Sequence, residues 1–208
     1  MCVSTGVGST PGDEADPLRD EEERALVERA RRDPAAFREL YAAYLPRVYA
    51  YVAARLEHRA EVEDLVATAM LRVVEHLDAF EPRGAGSFAA WLFRITHNLL
   101  SDAHRERGRA PALVPLDAAA DLPDAGPSPD GAALQGEERA RLRRLVGALP
   151  PRRQEVVALR FFAGLRNREI AAVLGLDERT VAAHLCRGLE ELHRRYAADR
   201  VEKETGAR

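Results

Sequence analysis

Apolar residues recur at intervals of three and four along most of this chain, and strict alternation is absent from its first half. The pattern therefore predicts an all-α fold. A first helix is expected from near Asp20 to about Arg32, with Leu26, Val27 and Ala30 on its apolar side. Asp33 followed by Pro34 is a cap and a first-turn proline. From there Phe37, Leu40, Tyr41, Tyr44, Val48, Tyr51 and Val52 carry a helix to about Leu56, with Pro46 inside it as a candidate bend. Residues 60–79 form the next, burying Val62, Leu65, Val66, Ala69, Met70, Val73, Val74 and Leu77. After a loop at 81–87, Ser87 caps a helix reaching about Arg107, with Trp91, Leu92, Ile95, Leu99 and Leu100 inward.

The pattern then breaks. Residues 108–136 hold five prolines, four glycines and four aspartates with no periodic face, the signature of a linker. Helices resume near Glu137, and Pro150-Pro151 opens another that Gly164 closes. Next comes GLRNREIAAVLGLDERTVAAHLCRGLEELHRRY, residues 164–196. Asn167 is placed to cap a short helix with Ile170, Ala171, Val173 and Leu174 as its stripe, and Gly175 ends it. Asp177 caps a second helix, whose expected stripe is Val181, Leu185, Leu189 and Leu192. A small residue four before the glycine and a valine six after it let two helices cross closely. This is the helix-turn-helix arrangement, in which the second helix enters the major groove of DNA. Glu178, Arg179, Thr180, Ala183, His184 and Arg187 fall on its outer face.

Charge sharpens this picture. The net charge of −3 conceals a strong division. Residues 1–23 carry one base and seven acids, residues 24–107 thirteen and twelve, residues 108–138 one and six, and residues 139–208 sixteen and nine. The positive excess surrounds the helix-turn-helix, as a DNA-binding segment requires. Lys203 is the only lysine among 31 basic residues, and arginine forks suit phosphate and guanine. Two cysteines, Cys2 and Cys186, make no disulfide framework and point to a reducing cytoplasm. The first residues lack the charge and apolar run of a signal peptide, and no stretch is long enough for membrane insertion. His97 and His104 share a helix face without a Cys or acid to complete a metal set, so no metal or other cofactor is expected. GxxxxGK, GxSxG and HExxH are all missing, which argues against an enzyme.

Two blocks carry a family resemblance. LPPRRQEVVALRFFAGLRNREIAAVLGLDERTVAAHLCRGLEEL, 149–192, resembles the C-terminal promoter-binding domain of bacterial sigma factors. FRELYAAYLPRVYAYVAARL, EVEDLVATAMLRVVEHLDAF and FAAWLFRITHNLLSDAHRERGR resemble their region 2. Two domains with only a linker between them are similar to the extracytoplasmic-function (ECF) group of the sigma-70 family. The implied organisation is a disordered tail at 1–20, region 2 at 21–107, an acidic linker at 108–136, region 4 at 137–196 and a tail at 197–208.

The resemblance implies a transcription-initiation factor in the cytoplasm. Its partners are core RNA polymerase (the β′ coiled coil and the β subunit), promoter DNA and an anti-sigma factor. Asp64, Leu65 and Arg72 match polymerase-binding positions, although Ala67-Thr68 stands where relatives often have Gln-Glu. Pro82, Arg83, Gly84 and Ser87 match the loop that takes up a flipped −10 base. Arg94, His97, Asn98, Asp102 and Arg105 would face the −10 strand. Arg179, Thr180, Ala183, His184 and Arg187 would read the −35 duplex. Ala182, Ala183 and His184 replace the Lys, Ser and Arg common in relatives, so region 4 alone should bind weakly. Trp91 is read as core, and Glu191 as an indifferent position past the groove. The alternative is a helix-turn-helix regulator that binds its operator without polymerase.

Overall fold

The computed structural model describes residues 17–56, 58–82, 87–106, 108, 141 and 144–206, with side chains from Asp20 to Ala198 among them. The described elements are all helical: α1 Pro17–Ala30, α2 Pro34–Ala53, α3 Arg59–His76, α4 Ser87–Glu106, α5 Pro151–Phe161, α6 Asn167–Leu174 and α7 Glu178–Gly206. The stretches expected as N-terminal tail and C-terminal tail are therefore partly helical, since α1 begins at Pro17 and α7 runs to Gly206. Most of the expected linker lies outside the described residues.

Helix α2 starts as its sequence dictates. Asp33 Oδ1 accepts the Ala35 amide at 2.8 Å, and Pro34 occupies the first turn, where its missing N–H costs nothing. The helix continues through Pro46. Leu40, Tyr44, Val48, Tyr51 and Val52 bury its inner face against α1, α3 and α4. On α3 the buried stripe is Val62, Leu65, Val66, Ala69, Met70 and Val73. Val74 departs from expectation: it is 54% exposed, beside Leu71 at 57%. Val73 already fills the stripe, and the next residue points about 100° away. On α4, Phe88, Leu92, Phe93, Thr96 and Leu100 are buried. Trp91 is half-buried, stacked beside Phe80 and Phe88 with ring centroids 4.9 Å and 5.7 Å away.

In the second block, α5 buries Val156, Val157, Ala158 and Leu159 in succession, while Arg152 near its start and Phe161 at its end stay exposed. Arg166, not Asn167, caps α6. Glu169 reaches back and accepts the Arg166 amide at 2.7 Å, while Asn167 is buried in the first turn. Gly175 closes α6 at φ 65°, a left-handed angle that suits glycine. Leu176 N then donates to Ala171 O at 3.0 Å. Asp177 caps α7 as expected, accepting the Thr180 amide at 2.8 Å and its hydroxyl at 2.7 Å. Val181, Leu185 and Leu192 are buried, but Leu189 is 38% exposed. Gly188 takes its place in the stripe, because α5 passes so close that a Cβ there would stand 3.2 Å from Val157 Cγ2.

The two blocks pack together. α4 lies along α6. Arg47 of α2 donates to the carbonyls of Ala163, at 2.9 Å, and Gly164, at 3.3 Å, just past the end of α5. Asp20 of α1 pairs with Arg166 and Arg168 at the start of α6.

Candidate nucleic-acid interface

The cap at Asp177 and the buried Val181–Leu185–Gly188–Leu192 stripe fix which face of α7 turns outward. Arg179 and Arg187 are exposed on it, about 12 Å apart along the axis. Thr180 is half-buried and committed to Asp177. Ala183 is half-buried. His184 turns partly toward α5. Burial, then the charges of Arg152, Arg153 and Arg187, hold its pKa below the usual histidine value. Of the positions expected to read duplex, Arg179 and Arg187 are the exposed ones.

A second surface lies on α4. Arg94, Asn98, Asp102 and Arg105 are all exposed and, at spacings of four, four and three, form one stripe. Asp102 and Arg105 pair at 2.8 Å in solvent, a contact of little energetic weight. His97 does not join that stripe. Its Nδ1 lies 3.2 Å from the Tyr51 hydroxyl, and the half-buried ring feels the charges of Glu155 and Arg152 on α5. Burial lowers its pKa, offset in part by Glu155. Pro82 and Ser87 are half-buried at the entrance to α4, while Arg83 and Gly84 lie outside the described residues. Ser87, Ala90, Trp91 and Arg94 line one wall of a cleft of about 720 Å³, and Arg168, Glu169 and Ala172 of α6 line the other.

On α3, Asp64 and Arg72 are exposed, and the Thr68 hydroxyl donates to the Asp64 carbonyl at 2.8 Å. Leu65 is buried in the core and so is not available to a partner; it supports the helix from inside. Exposed Leu71 and Val74 stand beside Arg72 instead. Sequence reading assigned neither to a surface, although apolar residues on more than one face of α3 are the signal for one. Glu191 is also misjudged from sequence. Its carboxylate accepts from Arg153 of α5 at 2.7 Å and from Arg195 at 2.6 Å, tying α7 to α5. Among the described residues no cluster of His, Cys, Asp or Glu could hold a metal ion, and no helix is long and apolar enough to cross a membrane.

Residues 40–110 match the family model for Sigma-70 region 2, and residues 139–192 the model for Sigma-70, region 4. The chain is 35% identical over 170 residues to the ECF RNA polymerase sigma factor BldN of Streptomyces coelicolor; the match covers 81% of this chain but only 64% of that protein. It is 30% identical over 178 residues to the ECF RNA polymerase sigma-E factor of Escherichia coli K12, covering 82% of this chain and 92% of that one. The solved structure of CnrH in complex with the cytosolic domain of CnrY aligns with a TM-score of 0.59 at 27% identity, covering 85% of this chain and 98% of CnrH.

Proposed function

The chain belongs to the extracytoplasmic-function group of sigma-70 RNA polymerase sigma factors, and from that membership we propose how its surfaces divide the work of starting transcription. It is not an enzyme; it lends promoter specificity to one. Core polymerase docks on α3 through Asp64 and Arg72, with Leu71 and Val74 supplying the apolar part of the contact that Ala67 and Thr68 lack. The −35 element is read as duplex by α7. Arg179, at the helix N-terminus, reaches base edges, and Arg187, two turns on, meets the phosphate backbone.

The −10 element is read as a single strand. A base is legible on its pairing edge only after it leaves the stack. The Asn98 amide offers a donor and an acceptor to such an edge, flanked by Arg94 and Arg105 for phosphate. The flipped base goes to the positions Pro82, Arg83, Gly84 and Ser87, which match the family's base-capture loop in sequence. An anti-sigma protein is a further proposed partner, as the family resemblance implies; the neighbour CnrH is seen in complex with the cytosolic domain of CnrY. The place of action is the cytoplasm, where polymerase and chromosome meet.

The observation that carries this reading is the co-occurrence, in one chain, of a helix-turn-helix with free arginines on its reading helix and a polar stripe on α4. Run-off transcription tests it, using core polymerase and template from the DNA upstream of this protein's own gene. Transcript should appear only when both proteins are present. If the protein shifts that DNA alone and adds nothing to polymerase, it is a regulator rather than an initiation factor.

A further inference from the structure

The cleft between α4 and α6 measures about 720 Å³, within the range of roughly 300–1,000 Å³ that encloses a small ligand. Trp91 lines it, half-buried, with its indole backed by Phe80 and Phe88. A ring held from behind in this way is a platform for another planar ring, and every nucleobase has such a face. Ser87 and Ala90, from the first turn of α4, border the same space. The amides at a helix start favour an anion. Arg94 stands one turn further on, exposed and in no ion pair among the described residues.

Arg168 enters from the opposite wall. Its Nη2 holds the Asp20 carboxylate at 2.5 Å, but its Nε is buried and has no hydrogen-bond partner. A buried donor left in that state is costly until an acceptor reaches it. Ala172, one turn along α6, is small and exposed, which leaves room between the helices. An aromatic platform, a helix start and guanidinium groups from two helices thus border one space. We propose that this cleft binds a free purine nucleoside diphosphate. The base lies against Trp91, and the diphosphate lies between Arg94, the first turn of α4 and Arg168. Two phosphates answer two arginines, whose forks match phosphate oxygens. The α6 wall facing α4 suits a single nucleotide rather than a continuous strand. The bound nucleotide occupies Ser87 and Arg94 and so excludes a melted −10 strand. That consequence rests on the proposed role of α4 as the strand reader, whereas the binding itself does not.

Trp91 is the only tryptophan of the chain, so its fluorescence reports on the cleft directly. GDP and ADP, titrated separately into full-length protein, should each quench it saturably at micromolar concentration. Inorganic phosphate, and the nucleosides without phosphate, should bind at least about tenfold more weakly. Arg94→Ala and Arg168→Ala each remove a charge-assisted contact and should raise Kd about tenfold or more. Ala172→Leu, at an exposed helix position, fills the cleft and should abolish the quenching while circular dichroism and the thermal melt stay those of wild type. Arg29→Ala, which cuts an exposed pair with Glu39 at 3.2 Å, should bind as wild type does. Should Arg168→Ala disturb α1 through the lost Asp20 pair, Arg94→Ala and Ala172→Leu decide. No saturable quenching at millimolar nucleotide would overturn the site, as would quenching undiminished in those two variants. Equal affinity for phosphate alone would overturn the nucleotide. Open-complex yield with core polymerase separates this site from the proposed function. Cleft binding in a protein that never directs polymerase would keep the site and remove the function, and promoter opening by a protein that binds no nucleotide would do the reverse.

Discussion

Replacing Asn98 by alanine separates reading from folding on one side chain. Asn98 is exposed on α4 between Arg94 and Asp102, and the helix is anchored from its other side by Phe93, Thr96 and Leu100. Truncation therefore opens no cavity. Alanine is the better helix former by about half a kcal/mol, so the folded domain should be unchanged or slightly firmer. A bidentate amide contact to a base edge contributes about 1–3 kcal/mol, which corresponds to roughly 5- to 150-fold in promoter opening. Three measurements decide the matter: a thermal melt, a binding titration against core polymerase, and open-complex yield by permanganate reactivity of the −10 region. The melt and the titration should match wild type while open complex falls within that range. A parallel loss of polymerase binding would refute the assignment and make Asn98 a structural or docking residue. Unchanged opening would remove it from the reading face altogether.

Arg179→Ala should relax discrimination among −35 sequences, whereas Arg187→Ala should weaken all sequences alike and lower the salt slope by about one phosphate contact, both readable by transcription and by binding at graded salt. Glu191→Ala should lower the melting temperature of the folded protein, because Arg153 and Arg195 lose their common acceptor between α5 and α7, and a melt indistinguishable from wild type would refute that. Gly188→Leu should cost about 1–3 kcal/mol and displace α7 from α5, since its Cβ alone would approach Val157 Cγ2 to 3.2 Å; the signature is loss of −35 binding together with a lower melting temperature. Burial raises the pKa of Glu23 despite the Tyr44 hydroxyl and the Arg47 charge, so its contribution is intact at low pH and is lost as pH rises through that elevated value. Glu23→Gln keeps an acceptor for Tyr44, and its melting temperature should exceed wild type at pH 7 by more than at pH 4.

The helix-turn-helix was legible because its determinants are local. Gly175, the Asp177 cap and Val181 act within ten residues of one another and depend on no distant partner. The readings that changed depended on neighbours far away in sequence. From Leu185 the stripe can continue at 188 or 189 with equal periodicity, and an apolar count prefers Leu189; only the approach of α5 favours glycine at 188. Asn167 has the better capping chemistry, yet the helix starts one residue earlier, where Glu169 reaches back and accepts the Arg166 amide. His97 and His184 fall on outward faces of their own helices, yet both are half-buried and feel the charges of α5. The pairing of Asp20 with Arg166 spans 146 residues, a distance over which a single sequence carries no register.

The uneven charge of the chain acquires a physical meaning from that pairing. A net charge of −3 would oppose approach to DNA if it were spread evenly. Instead the acidic N-terminal stretch places Asp20 on α1 against arginines of a strongly basic C-terminal block, so part of the basic charge is neutralised inside the molecule. What remains outside on the reading helix is Arg179 and Arg187, with His184, its pKa lowered, between them. Each phosphate neutralised steepens the dependence of affinity on salt by slightly less than one logarithmic unit per unit. Two cations on its reading face therefore give α7 a shallow slope and weak binding. A chain whose Arg166 and Arg168 exchange Asp20 for phosphate offers two cations more, so its slope steepens with its affinity. The steepening, measured with and without polymerase and corrected for polymerase's own contacts, should shrink when Arg166 and Arg168 are both replaced by alanine. An undiminished slope in that double variant would mean these arginines never exchange Asp20 for phosphate.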